Sequence, residues 1–278
     1  MNSSIPESMQ SVRLLDTREG IALEQAAQTM LERTRPALLR IIQQSQRLAD
    51  PVEHSWLGRV DGLTVPFEAS QMARMFALVA ADNLRQVERM LRTSLPPFAP
   101  YSMIRSAIEA SSLGLWILDA KGEQMAASRT LRIYRQNIAS DRTMWKTVVK
   151  SNSEPHDDLH KTAEATHRAL RGMDQSHFER AVRSSAIIEA VDEKHSGAEL
   201  QPLSGLEVWR ICSSIVHANP VSMMHLLERH PDGKIGESAT RTSRLSFVAS
   251  FYVIACNRSE RLIETFHSRS RPRRTSRC

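Results

Sequence analysis

Apolar residues recur at intervals of three and four positions along most of this chain, the spacing that places side chains on one face of an α-helix. The pattern is plainest between residues 66 and 93, at Met72, Met75, Phe76, Val79, Val87, Met90 and Leu91. Alternating apolar and polar positions, which are typical of β-strands, are almost absent, and we expect no strand pair. The pattern therefore predicts an all-α fold.

Turn signals divide this pattern into separate helices. Three prolines fall within residues 95–100, and proline restricts the residue before it, so the helix must end there. Pro36 is expected to kink or divide the first helix. Helices are expected at 18–48, 66–93, 101–119, 123–150, 156–171, 175–194, 206–216, 221–228 and 241–266. These segments predict a single helical bundle of about seven to nine helices.

Composition and charge refine the domain organisation. The chain has 278 residues, 41% of them hydrophobic and 5% aromatic, which suits one bundle packed on aliphatic side chains. We expect a loose N-terminus at 1–17, the bundle at 18–267 and a disordered arginine-rich tail at 268–278. Five arginines and no acid lie in that tail, and without it the net charge of +6 would fall to +1. The tail would either bind RNA or DNA weakly and without sequence preference, or only keep the protein soluble.

Cysteine usage and hydropathy favour a cytoplasmic protein. The three cysteines, Cys212, Cys256 and Cys278, are widely spaced and form no Cys-x-x-Cys motif, which is typical of a reducing compartment. The N-terminal segment has no apolar core of signal-peptide length. The most apolar window, 245–256, is too short to span a bilayer, so no membrane partner is expected.

The strongest candidate for chemistry is an arginine and a histidine seven residues apart within one predicted helix. Arg210 and His217 return to within about 20° of each other around the helix axis, with Ser213 and Ser214 between them. A guanidinium binds phosphate oxygens, and an imidazole exchanges protons near neutral pH. The pair could activate a ribose 2′-hydroxyl and stabilise a phosphorane without a metal. The same residues could equally form the solvated face of an ordinary amphipathic helix.

Arg210 followed by His217 in a helix of an all-α chain resembles the motif of the HEPN superfamily (higher eukaryotes and prokaryotes nucleotide-binding). Active members are metal-independent endoribonucleases that usually work as dimers with two facing motifs, and many are toxins or antiviral effectors. The resemblance implies that Arg210 stabilises the phosphate and that His217 is the acid and base. In this hypothesis Ser213 or Ser214 helps to position the phosphate. The resemblance also implies RNA as partner, a homodimer, and no metal or cofactor. Active members commonly have a polar residue directly after the arginine, where this chain has Ile211.

A second resemblance covers roughly residues 67–265. The segment Ile104-Arg-Ser-Ala-Ile-Glu109 with Trp116, and Ser213-Ser-Ile-Val-His-Ala218 later, is similar to a group of uncharacterised bacterial helical proteins suspected of being HEPN-like. This resemblance implies that Arg105 and Glu109 join Arg210 and His217 in one polar cluster. Arg105 and Glu109 are four residues apart and share a helix face, which permits such a cluster. The alternative is that these residues only form hydrogen bonds and ion pairs that hold packed helices together.

Two further groups carry weaker signals. His156, His160, Glu164 and His167 share one side of a predicted helix, but a di-iron site needs a second Glu-x-x-His motif, so we expect a solvated surface and no metal. The arginine stripe of Arg129, Arg132, Arg135 and Arg142 could hold a phosphodiester backbone or simply face solvent. The chain has no glycine-rich phosphate loop, dinucleotide fingerprint, Gly-x-Ser-x-Gly elbow or zinc knuckle.

The sequence thus leads to two hypotheses. The first is a HEPN-like, metal-independent endoribonuclease of stress or phage-defence type that acts through Arg210 and His217. The second is a non-catalytic helical module that binds a protein or a nucleic acid, with the arginine and histidine cluster as a structural tie. Exposure separates them, because a catalytic pair must reach solvent whereas a tie would seal His217 against Glu109 or a backbone carbonyl.

Overall fold

Most of the described part of the chain is helical, and the all-α prediction is confirmed. The computed structural model describes residues 18–149, 154–195, 203–230 and 240–272. The loose N-terminus predicted at 1–17 and most of the tail predicted at 268–278 lie outside these ranges.

Eleven α-helices and one antiparallel strand pair are present in the described ranges. The helices are α1 (Ile21–Ser45), α2 (Trp56–Thr64), α3 (Ala69–Thr93), α4 (Ala99–Leu118), α5 (Glu123–Met144), α6 (Glu154–Arg168), α7 (Gln175–Glu179), α8 (Ser184–His195), α9 (Gly205–Val216), α10 (Pro220–Leu226) and α11 (Leu245–Ser270). A π-helical turn, Trp145–Val149, follows α5. The strands are β1 (Leu227–His230) and β2 (Thr240–Ser243), with Leu227 opposite Ser243.

Local interactions explain where the structure differs from the predicted segments. Helix α2 lies within a predicted connection, and its start is capped by Ser55, whose Oγ accepts a hydrogen bond from Gly58 N at 3.0 Å. Pro36 lies inside α1 without ending it, because the helix buries Leu38 and Ile41 in the core. The predicted helix at 175–194 is split into α7 and α8.

The strand pair was not expected from the sequence. Its residues are mostly polar and show no alternation, so a period of two could not be detected. Two hydrogen bonds to the buried Glu228 hold β1 in place, from Glu19 N at 2.6 Å and from Thr242 Oγ1 at 2.9 Å.

Helix α4 is the centre of the bundle and packs against α3, α8, α9 and α11. Its fully buried apolar residues are Tyr101, Ile104, Ala107, Ile108, Leu115, Ile117 and Leu118. Helix α1 covers α11, while α5 packs against α2 and α6 on another side. Helix α9, which carries Arg210, therefore packs directly on α4.

Helix α11 includes the most apolar window of the sequence, and the bundle buries it. Along it Tyr252, Ala255, Cys256 and Leu262 are inaccessible to solvent. None of the helices in the described ranges combines the length and apolar composition that a bilayer-spanning segment requires. Cys212 and Cys256 are free buried thiols, and burial raises the pKa of both.

The two glycines of α2 are expected to respond in opposite ways to alanine. A Cβ at Gly58 would lie 2.3 Å from the carbonyl oxygen of Val52, so the backbone would have to move. No atom lies within 4 Å of a Cβ at Gly62. We expect Gly58→Ala to lower the free energy of unfolding by about 1–3 kcal/mol, and Gly62→Ala to raise it by about 0.5–1 kcal/mol.

Urea denaturation followed by circular dichroism measures both changes. Gly62→Ala is the matched control, because it makes the same chemical change in the same helix. Equal effects of the two substitutions would contradict the close backbone approach at Gly58.

Candidate functional site

Both ends of α9 are fixed by specific contacts. At the N-terminus, Ser204 and Glu207 form a capping box, with Ser204 N donating to Glu207 Oε2 at 2.7 Å. Leu206 N donates to Asp192 Oδ2 of α8 at 2.7 Å. At the C-terminus, His217 is the capping residue and Ala218 follows with a φ of 53°. The next helix, α10, starts immediately because Asn219 Oδ1 accepts from Val221 N at 3.0 Å.

One face of α9 packs on α4 through the buried residues Val208, Cys212 and Ile215. Contacts between Arg105 and Ser213 and between Glu109 and Trp209 show that α4 and α9 run antiparallel. Polar residues at the edge of this contact therefore meet across the two helices.

Arg105, Glu109 and Ser213 form one half-buried cluster together with Trp209 and Ser184. Arg105 Nε donates to Ser213 Oγ at 2.7 Å, and the guanidinium carbon lies 4.9 Å from the centre of the Trp209 ring. Glu109 accepts from Ser184 Oγ at 2.5 Å and from Trp209 Nε1 at 3.2 Å. The distance from Glu109 Oε2 to Arg105 Nη2 is 3.5 Å. This cluster joins α4, α8 and α9.

Arg210 and His217 stand apart from that cluster. Both are exposed, and neither forms a hydrogen bond or ion pair through its side chain among the described residues. The single cluster implied by the resemblance is thus divided into a half-buried part and an exposed pair. His217 is not sealed against Glu109, whose carboxylate is bonded to Ser184 and Trp209 instead.

The two serines differ in what their hydroxyls do. Ser214 Oγ donates its proton to Ile211 O at 2.7 Å, one turn back in the same helix, so this proton is already used in a hydrogen bond to the backbone. Ser213 Oγ accepts from Arg105, which leaves its own proton available. Ile211, the residue after Arg210, packs against the core.

An ion pair between α8 and α11, beside the start of α9, was not predicted from the sequence. The Arg258 guanidinium of α11 contacts the Asp192 carboxylate directly and donates to Ser112 Oγ at 2.7 Å. Burial lowers the pKa of Arg258 to about 10. The sequence did contain a sign of this burial. Arg258 lies on the same face of α11 as the buried residues Phe251, Ala255 and Leu262.

The histidine-rich helix α6 does not gather its histidines at one point. His167 is fully buried, with Nε2 2.9 Å from Ser128 Oγ and Nδ1 3.2 Å from Gln175 Oε1, and it stacks on Phe178. His156 Nε2 instead lies 2.7 Å from Asp141 Oδ2 of α5. Among the described residues no three His, Cys, Asp or Glu side chains are placed to hold a metal ion.

Stability is expected to fall as the pH drops below about 6.5. Burial lowers the pKa of His167, so the folded protein keeps this imidazole neutral while the unfolded chain takes up a proton. The stability that His167 contributes is therefore present above the unfolded pKa and is lost as the pH falls towards the folded pKa.

Urea denaturation at several pH values, between about pH 7 and pH 5, measures this loss. We expect a smaller loss in His167→Gln, which cannot be protonated. His267→Gln is the control for general histidine effects, because burial also lowers the pKa of His267 but its ring is only half-buried. A loss in His167→Gln equal to that of the unmodified protein would contradict the assignment.

Two surface grooves in the described part of the chain lie away from α9. One, of about 480 Å³, is lined by residues of α1 and by Asn257. The other, of about 500 Å³, is lined by residues of α5 and α6, including Asp141 and His156. Neither includes Arg210 or His217, which stand on an open face.

Comparison with protein-family models, with curated proteins and with solved structures finds no match for this chain.

Proposed function

We propose that the protein is a metal-independent endoribonuclease that uses the exposed face of α9. The observation that carries the proposal is the state of Arg210 and His217, which are both exposed and form no side-chain hydrogen bond or ion pair among the described residues. Glu207, whose carboxylate Arg210 attracts, is bonded to Ser204. They share one face of a helix and are about 10 Å apart along its axis. Both side chains must converge across that distance to contact the same phosphate group.

The chemistry assigned to the pair is transfer of the phosphoryl group to the neighbouring ribose oxygen. His217 takes the proton of the 2′-hydroxyl as the 2′-oxygen attacks phosphorus. Arg210 stabilises the charge on the pentacoordinate phosphorane. The P–O5′ bond then breaks, an imidazolium returns a proton to the 5′-oxygen, and the products carry a 2′,3′-cyclic phosphate and a 5′-hydroxyl.

Ser213 is the better candidate for positioning the phosphate. Its hydroxyl proton is available, because Oγ accepts from Arg105 rather than donating to the backbone as Ser214 does. Arg105 and Glu109 act through Ser213 and Trp209, as positioning residues that hold this face of α9.

A second copy of the chain would complete the site. The α9 face is open in one copy, and Val216, Val221 and Met224 beside His217 are exposed apolar residues. In a two-fold pair these residues would be covered and two copies of Arg210 and His217 would face each other.

The test is incubation of the purified full chain with labelled single-stranded RNA and transfer RNA in excess EDTA. We expect cleavage that leaves 2′,3′-cyclic phosphate and 5′-hydroxyl ends, and sedimentation of the same sample should give the mass of a dimer. Cleavage that EDTA abolishes, or products with 5′-phosphate ends, would contradict the proposed chemistry.

The second candidate function is a non-catalytic helical module that binds a protein or nucleic acid. Its support is that Glu109 and Ser213 already act as ties between helices and that neither described groove reaches Arg210 or His217. RNA binding without any cleavage in the same experiment would favour it.

A further inference from the structure

Four arginines form a cluster on a different part of the surface, where α5 meets α7. They are Arg129, Arg132 and Arg135 of α5 and Arg180 at the end of α7. The three on α5 are half-buried, and Arg180 is exposed. We refer to these four residues as the arginine cluster.

Aromatic rings and backbone carbonyls hold the cluster in place. The guanidinium carbons of Arg129 and Arg132 lie 4.8 Å and 5.5 Å from the centre of the Trp116 ring. Arg129 Nη1 donates to Trp116 O at 2.5 Å. Arg135 lies 5.4 Å from the Phe178 ring and donates to Glu179 O at 2.7 Å. The three guanidinium groups of α5 are therefore held in place before any ligand arrives.

Within the described ranges no carboxylate lies close enough to the cluster to form an ion pair, although Asp174 attracts Arg180 and Asp119 attracts Arg129 at longer range. None of the four arginines forms an ion pair among the described residues, in contrast to Arg40, Arg59 and Arg74 on other faces. Asp119, the acid nearest to Arg129, is already bonded to Lys194 and His195. Because unpaired like charges repel each other, an anion at this position would lower the energy of the folded protein.

Several donors of the cluster remain without acceptors. Each guanidinium has five N–H groups, and the carbonyl contacts use only one in each of the three α5 arginines. Arg132 Nε and Arg135 Nε are buried and have no hydrogen-bond partner. Burial and the neighbouring arginines lower the pKa of Arg132, which agrees with an excess of positive charge here.

We propose that the arginine cluster binds the phosphodiester backbone of single-stranded RNA. Positions three apart on α5 place the backbone of successive arginines about 4.5 Å apart along the helix, and their long side chains can contact consecutive phosphates of one strand. Guanidinium groups form paired hydrogen bonds with phosphate, and their planes can also stack on unpaired bases. Prior fixation by Trp116 and Phe178 reduces the entropy lost on binding.

An anionic membrane fits this surface less well. Membrane-binding faces combine basic residues with exposed apolar side chains that enter the lipid. In the described ranges, the large exposed apolar residues nearest in sequence to the cluster are Met144, Trp145, Val148 and Leu159. None of them lies on the part of α5 or α7 that carries the arginines.

This binding site goes beyond the proposed cleavage, since it requires neither Arg210 nor His217. The test measures fluorescence anisotropy of a labelled 2′-O-methyl RNA, which cannot be cleaved through a 2′-hydroxyl, with the full chain at several salt concentrations. Arg180→Ala removes a charge without removing a side-chain hydrogen bond. We expect its affinity to fall about threefold and the slope of log K against log salt to decrease by about 0.7.

A double variant gives a larger change. Arg132→Ala with Arg135→Ala should weaken binding about tenfold and decrease the slope by about 1.4. Because these two arginines also hold α7, the double lysine variant is made as well, and it should keep most of the affinity. Arg85→Ala with Arg89→Ala is the matched control, since it removes the same charge from exposed positions of α3 and should change binding less than twofold.

Three results would overturn this binding site, and a fourth would overturn only the proposed nuclease. Equal weakening in the α3 control would assign binding to net charge. Loss of affinity in an Arg210→Ala, His217→Ala variant would place the RNA on α9 instead. Unchanged RNA binding in the cluster variants, together with reduced binding to phosphatidylserine vesicles, would assign the cluster to a membrane. Absence of cleavage with intact, cluster-dependent binding would reject the proposed nuclease and keep this site.

Discussion

Replacement of Asp192 by alanine is expected to lower the free energy of unfolding by about 3–5 kcal/mol. The Arg258 side chain is only 10% exposed, and the Asp192 carboxylate is its one acidic partner among the described residues. Removing that carboxylate leaves a buried cation with the Ser112 hydroxyl as its remaining acceptor. The same change removes the acceptor of Leu206 N at the start of α9.

Urea denaturation measures the loss, with Asp50→Ala as the matched control. Asp50 also pairs with an arginine, Arg74, but its side chain is 85% exposed. Because water solvates such a pair, we expect Asp50→Ala to cost less than about 1 kcal/mol. Equal costs for the two substitutions would mean that Arg258 finds another partner or enough water when Asp192 is removed.

Cleavage by His217→Ala is expected to fall by about 10²–10⁴-fold relative to the unmodified protein. This prediction rests on the proposed function, in which His217 moves the proton. The cleavage rate of Arg210→Ala should fall by a similar factor, since this substitution removes the cation that stabilises the phosphorane. Both residues are exposed and form no side-chain hydrogen bond or ion pair in the described ranges, so neither change should alter the circular dichroism spectrum. Arg210→Ala should lose only the weak surface attraction to Glu207.

Single-turnover cleavage rates in EDTA measure these losses. His225→Ala and Arg85→Ala are the controls, because each removes an exposed side chain of the same type from another position. Full activity in His217→Ala would contradict its role as acid and base. Similar losses in His225→Ala would point to a general effect of histidine on the α9–α10 surface.

The helices could be predicted because they are long and strongly patterned. Helix α3 was expected to end at residue 93, and it does. Helix α2 was missed because its nine residues include two glycines and lie between prolines. The strands β1 and β2 were missed because their residues are mostly polar and do not alternate, and because Glu19, which bonds Glu228 of β1, is far away in the sequence.

The candidate site could be predicted only in part. Helical periodicity indicated that Arg210 and His217 share a face, and that Arg105 and Glu109 do so. It could not show which of these faces lies against a neighbouring helix. That depends on the antiparallel arrangement of α4 and α9, which brings Arg105 to Ser213 and leaves Arg210 exposed. Asp192 was missed because its partners lie on α9 and α11.

The fixation of α9 at both ends limits how its exposed face could be regulated. The Ser204–Glu207 box, the Asp192 contact and the short turn to α10 prevent the helix from sliding or rotating without breaking several hydrogen bonds. The backbone positions of Arg210 and His217 are therefore fixed relative to α8 and α10. Under the proposed function, control of this face would act by covering it, and a partner that shields α9 would block cleavage without any change in the shape of the protein.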